Sequence, residues 1–155
     1  MTILSRIIAA EAVDAGLGAS GKKALFQQLA AAGARLSGVS SQIVLNALNE
    51  RERLGSTGFG AGVALPHGRI EGLEGIVGFL ARLSTPVDYH SVDGLPVDLV
   101  FLLLSPPDSG ADHLKALAGA SRMLRDRQTV AKLRGARSRD AMLALLDEAE
   151  ARDAA

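Results

Sequence analysis

The sequence predicts an α/β protein in which helices pack on a central sheet, and three features of the pattern say so. Two short apolar runs, Ile76–Ala81 and Leu99–Leu104, have strand length and almost no alternation, as strands covered on both faces do. Amphipathic helical periodicity fills the stretches before and after them. With 155 residues, 48% of them hydrophobic and 22% charged, the chain has the length and composition of one globular domain, and residues 1–155 are read as a single unit.

The elements follow in order. Residues 20–35 read as a helix, with Ser20 as N-cap and Leu25, Phe26, Leu29 and Ala32 at helical spacing. Residues 41–54 read as a second, capped by Ser40 or Ser41, with Val44, Ala47, Leu48 and Leu54 on its buried side and Gly55 as its stop. The glycine-rich passage from Gly55 to Gly62 is expected to be a loop feeding a short strand that ends at Pro66. Strands are expected over 75–84 and 97–105, the second closed by Pro106-Pro107. Three helices should complete the chain, at about 112–125, 127–134 and 138–150, with Gly135 separating the last two.

Composition removes several chemistries. There is no Cys, so disulfides, thiolate nucleophiles and Cys-based metal sites are excluded, which fits a cytoplasmic setting. Met1–Glu11 lacks the pattern of a signal peptide, and no apolar run approaches membrane-span length. Formal net charge is zero, so no global field draws the chain to nucleic acid or to an anionic membrane. The Arg-rich stretch from Arg122 to Arg139 is interleaved with Asp126 and Asp140, has no aromatics and reads as solvated helix surface. The glycines lack the Lys of a phosphate-cradling loop, and Gly58, Gly60 and Gly62 precede a strand, unlike a dinucleotide fingerprint. No Gly-x-Ser-x-Gly elbow and no clustered metal ligands occur, so neither a metal nor a cofactor is expected.

What remains is His67. Pro66 before it ends ladder pairing and stiffens the approach, and Gly68 after it lets the backbone come close to whatever the imidazole carries. The upstream glycines could turn amide hydrogens toward anionic oxygens. A largely neutral imidazole is an available nucleophile toward phosphorus. His113 falls at the expected start of the helix after Pro106-Pro107, where the helix dipole favours a neutral N–H donor and a nearby phosphate. One histidine would carry a phosphoryl group while the other donates to its oxygens. Arg51 and Arg69 are candidate guanidinium partners, Arg69 the weaker as a surface charge; Phe59 and Leu65 are candidates for an apolar docking rim, and His90 reads as solvated.

The segment Arg51-Glu-Arg-Leu-Gly-Ser-Thr-Gly-Phe-Gly-Ala-Gly-Val-Ala-Leu-Pro-His67-Gly resembles the signature of the enzyme IIA domains of the fructose–mannitol class of the bacterial phosphotransferase system, and its nitrogen-regulatory members in particular. Pro96–Leu104 and Asp112-His113-Leu114 match later blocks, so the resemblance runs from about Ser5 to Glu148. It implies a mixed sheet flanked by helices, His67 as the phosphorylated residue, His113 as the supporting histidine and Arg51 beside them. The implied phosphoryl donor is a small histidine-phosphorylated carrier protein. Two outlets are compatible with it: regulation of target proteins by phosphorylation state, to which the absence of a fused IIB or membrane domain leans, or transfer to an enzyme IIB during sugar uptake.

Overall fold

The computed structural model describes Ile8 and residues 10–154; the expectation for Met1–Glu11 falls largely outside them. Among the described residues there are six strands and five α-helices. In chain order they are β1 (Val13–Leu17), α1 (Lys22–Ser37), α2 (Ser41–Arg53), β2 (Gly58–Gly60), β3 (Val63–Ala64), β4 (His67–Arg69), β5 (Val77–Val87), β6 (Val97–Ser105), α3 (Ala111–Arg125), α4 (Arg127–Gly135) and α5 (Arg139–Ala154). The sheet order is β1-β5-β6-β3-β2, with β4 also on β6. Pairing is parallel for β1–β5, β3–β6 and β4–β6 and antiparallel for β5–β6 and β2–β3, so the sheet is mixed.

Strand β6 explains the unbroken apolar run. Val100, Leu102 and Leu104 pack on one face with Leu25, Phe26, Leu29, Val44 and Leu48 of α1 and α2. Leu99, Phe101 and Leu103 pack on the other with Ala116, Ala120, Met123, Val130, Leu133 and Met142 of α3, α4 and α5. A strand with a helical layer on each side has no polar face to alternate. The close approach of α1 is set at Gly33, where a Cβ would lie 2.8 Å from Leu104 Cδ1.

Several local expectations need correction. Ser20 does not cap α1, which begins one residue too late for it; Gly21 is the N-cap and no side chain fills that role. Ser40 does cap α2, accepting from Gln42 N. Leu54, assigned to the buried side of α2, is the C-cap and 84% exposed, because the helix ends at Arg53 before the buried face recurs. The strand does not end at Pro66. It breaks at Leu65-Pro66, where Pro66 has no N–H to offer, and resumes in the same register: Val63 and Ala64 oppose Leu99 and Val100, and His67 opposes Leu103. Pro66 still accepts from Leu103 N through its carbonyl, which carries the ladder across the break. Strand β5 runs to Val87, past Pro86, because a register irregularity between Arg82 and Val87 absorbs the proline.

Candidate functional site

The break at Pro66 delivers His67 to the end of the sheet, on a strand fixed against β6. Gly68 puts β4 hard against α2: a Cβ there would sit 3.4 Å from Ala47 Cβ. Helix α2 therefore passes directly over β4, and Arg51 in its last turn reaches His67. Beyond Ser105 the chain turns through Pro106-Pro107 and enters α3, whose third residue is His113. A cleft of about 350 Å³ results, lined by Ala47, Glu50, Arg51 and Leu54 from α2, His67, Gly68 and Arg69 from β4, and His113.

Both ring nitrogens of His67 are engaged. Nδ1 lies 2.7 Å from the Leu65 carbonyl oxygen, which only accepts, so Nδ1 carries the proton and donates. Nε2 accepts from Arg51 Nε at 3.2 Å. The free lone pair of the ring is thus on Nε2. Burial holds the His67 pKa below the ordinary histidine value; the Leu65 carbonyl opposes that, the Arg51 guanidinium adds to it and Glu52 offsets it in part. His113 is 6% exposed, and its ring centroid is 6.2 Å from that of His67. Its Nδ1 lies 2.6 Å from Ser105 Oγ. Burial lowers the His113 pKa as well, with Arg69 and His67 adding to the shift. Two neutral imidazoles and two guanidinium groups therefore share one small cleft.

Arg51 is itself braced. Its Nη1 donates to the Gly55 carbonyl at 2.9 Å. The neighbouring Glu52 receives the Thr57 amide and hydroxyl, the latter at 2.6 Å, and the Lys22 ammonium at 2.9 Å. Thr57 Oγ1 gives its one proton to Glu52, so the buried Tyr89 hydroxyl donates to Thr57 at 2.7 Å. Burial alone would raise the Glu52 pKa, but hydrogen bonds from Thr57, Lys22 and Ser56 hold it below the ordinary carboxylate value. This chain ties the end of α2 to α1 and to the segment after β5. Sequence inspection singles out none of Lys22, Glu52, Thr57 or Tyr89 as site residues; the Glu52–Thr57 pair is local, but the Lys22 and Tyr89 contacts bridge about thirty residues.

Of the sequence candidates, the fold brings His67, His113, Arg51 and Arg69 together. Arg69 donates from Nη1 to the Pro107 carbonyl at 3.0 Å and bridges β4 to the loop before α3. Phe59 and Leu65 do not form the rim. Phe59 lies under the Arg125 guanidinium, 5.5 Å from ring centroid to Cζ, in a separate cleft, and Leu65 is buried in the core. The apolar side chains that line the His67 cleft are Ala47 and Leu54, the latter 84% exposed; Leu114, next to His113 in the chain, is 63% exposed. The upstream glycines do not cradle the site either. Gly60, Ala61 and Gly62 have positive φ and form the tight turn between β2 and β3, whose Ala61 amide is already held by Asp93. Gly68 serves the approach of α2. His90 is exposed beside Asp88, apart from the cleft. Among the described residues no group of three or more His, Asp or Glu side chains is assembled for a metal, and no helix is long and apolar enough to cross a membrane.

This fold and cleft have counterparts among known proteins. The chain belongs to the EIIA 2 family of the phosphoenolpyruvate-dependent sugar phosphotransferase system, whose family model matches residues 6–149. Within that family it is similar to a nitrogen regulatory protein of Bradyrhizobium diazoefficiens, with 48% identity over 143 residues, 92% of this chain and 94% of the relative. The crystal structure of nitrogen regulatory protein IIA-Ntr from Neisseria meningitidis superposes with a TM-score of 0.88 at 32% identity, covering 94% of this chain and 99% of that one. A sugar-specific relative, the 2-O-alpha-mannosyl-D-glycerate-specific EIIABC component of Escherichia coli, matches over a shorter stretch, 37% over 127 residues, or 81% of this chain and 19% of its own.

Proposed function

We propose that this chain, acting as one EIIA unit in the cytoplasm, is a phosphohistidine carrier of the nitrogen-regulatory phosphotransferase system, with Nε2 of His67 as the phosphoryl acceptor. The observation that carries the proposal is the fixed ring of His67. The Leu65 carbonyl accepts a hydrogen bond from Nδ1–H and so leaves the Nε2 lone pair at the cleft, beside Arg51. The donor would be a small carrier protein bearing a phosphohistidine, docked over the exposed Leu54 at the edge of the cleft. The Nε2 lone pair forms the new N–P bond as the donor's N–P bond breaks, and the donor ring, protonated on its other nitrogen, leaves with the electron pair as a neutral imidazole. The His67 ring keeps its Nδ1 proton, and Leu65 stabilises the positive charge that the ring acquires. Catalysis is then positioning and charge stabilisation. Arg51 shifts its Nε–H from the lone pair to a phosphoryl oxygen, and Arg69 and His113 complete the polar wall.

The phosphoryl group would act mainly as a signal. It adds nearly two negative charges at the mouth of the cleft. Partners that pack on the apolar rim of the unmodified form would meet a dianion in the modified one. Nitrogen-regulatory relatives that match more than nine-tenths of the chain favour this regulatory outlet over delivery to an enzyme IIB. The test is incubation with phosphoenolpyruvate, an enzyme I and the cognate carrier. One acid-labile, base-stable phosphoryl group should appear on the wild type and be absent from His67→Ala; undiminished labelling of His67→Ala would overturn the assignment.

A further inference from the structure

Ser105 is the last residue of β6 and is fully buried. Its backbone carbonyl accepts from Ile70 N, and its backbone is paired in register with Arg69. Its hydroxyl has one hydrogen-bond partner among the described residues, Nδ1 of His113, at 2.6 Å. In the sequence Ser105 does no more than close a strand, and the proposed transfer step does not use it.

A buried hydroxyl has one proton to place. If His113 Nδ1 carried a hydrogen and donated it to Ser105 Oγ, the Ser105 O–H would be left in the protein interior without an acceptor. If Ser105 donates to Nδ1, its hydroxyl proton is satisfied. His113 then holds its own hydrogen on Nε2, on the far side of the ring from Ser105, and His113 lines the cleft. The bond also resists protonation, since an Nδ1–H would displace the Ser105 proton. We infer that Ser105 is a positioning residue that selects the Nε2–H tautomer of His113, so that a neutral histidine presents a hydrogen-bond donor to a phosphoryl group on His67. The logic mirrors that at His67, where Leu65 accepts from Nδ1 and leaves Nε2 as a lone pair. One backbone carbonyl and one serine hydroxyl give neighbouring imidazoles opposite tautomers: a nucleophile and a donor.

The role in transfer rests on the reading of His67 as phosphoryl acceptor; the tautomer assignment does not, and the two are tested separately. The first measurement is long-range ¹⁵N–¹H correlation NMR on the unmodified, ¹⁵N-labelled protein at pH 7.5. The wild type should give His113 the Nε2–H pattern and His67 the Nδ1–H pattern. Ser105→Ala removes one oxygen atom and should shift His113 toward a mixture of tautomers while His67 is unchanged. A wild-type His113 in the Nδ1–H form, or a His113 pattern unmoved by Ser105→Ala, overturns the inference. The second is a double-mutant cycle on the rate of phosphoryl transfer to His67. Ser105→Ala should slow transfer about three- to tenfold, the worth of one neutral hydrogen bond, and should have no further effect in a His113→Ala background. Equal slowing in both backgrounds would show that Ser105 acts otherwise than through His113. Failure of the wild type to be phosphorylated would overturn the phosphocarrier reading, and the tautomer assignment would then stand or fall on the NMR spectra alone.

Discussion

At the scale of single residues, the chemistry is set by where each proton is held. His67 and His113 both have pKa values lowered first by burial. The fold therefore favours their neutral forms, and the unfolded chain binds protons more readily as pH falls. Their contribution to stability is fully present above the unfolded value near 6.5 and is lost as pH falls below it toward the lowered folded values. The lone pair on Nε2 follows the same titration. The rate of phosphoryl acceptance should be flat between pH 7 and 8 and fall on acidification with an inflection below 6.5, read in single-turnover experiments with phosphorylated carrier. An inflection above 6.5 would contradict the burial argument. His113→Ala should slow transfer by about ten- to a hundredfold, the worth of a hydrogen bond to a charged acceptor, and His113→Gln, which keeps an N–H donor, should lose less. Wild-type kinetics in His113→Ala would make His113 a bystander. Away from the cleft, Ser91 Oγ is buried with no hydrogen-bond partner among the described residues, in the space that a Cβ on Gly58 would need. Ser91→Ala should be at least as stable as the wild type, by up to about 1–2 kcal/mol, in urea denaturation; a clear loss would mean that the hydroxyl has a partner.

At the scale of elements, the site is where three elements meet: the last turn of α2, the resumed strand β4 and the first turn of α3. Leu54 closes α2 fully in the open, beside Arg51. Leu54→Asp should raise the KM for the phosphorylated carrier by about tenfold with little change in kcat, because a charge disrupts docking and leaves the Arg51–His67 contact in place. An unchanged KM would place the docking surface elsewhere. The same elements mark what the sequence made legible. Strand β6 is legible end to end in the sequence, since a strand covered by α1 and α2 on one face and α3, α4 and α5 on the other is apolar at every position from Leu99 to Leu104. Helices α2, α3 and α4 were placed to within a residue at each end by their caps and by the glycine and proline stops around them. Strand β1 is not legible in the sequence: Val-Asp-Ala-Gly-Leu has neither alternation nor an apolar run, and it exists because β5 pairs with it and Arg82 and Arg139 donate to its carbonyls. The reach of β4 past Pro66 and the exposure of Leu54 are hidden in the sequence for one reason. Local pattern reports helix and strand periodicity, and neither the resumption of pairing after a proline nor the final half-turn of a helix alters that period. Histidines 67 and 113 and Arg51 could be singled out from residue type and setting; Ser105 and the Glu52–Thr57–Tyr89 chain depend on contacts that only the folded sheet creates.

At the scale of the whole molecule, one small cleft at the end of the sheet gathers His67, His113, Arg51, Arg69 and the exposed Leu54, so on the proposed function one covalent event would change the surface a partner meets. Unmodified protein and His67→Ala should capture a set of cytoplasmic proteins that His67→Asp, an imperfect charge mimic, captures differently. If the only partner is an enzyme IIB and phosphate passes through it to a sugar, the regulatory outlet is wrong and transport takes its place. Both outlets depend on the same step, the formation of an N–P bond at one atom of one ring. Phosphorylate the ¹⁵N-labelled protein through its carrier and record ¹⁵N and ³¹P spectra of the histidine rings. The geometry predicts a single phosphoryl group on Nε2 of His67, with its Nδ1 still protonated toward Leu65. A phosphoryl group on Nδ1, on His113 or on any other residue would contradict it.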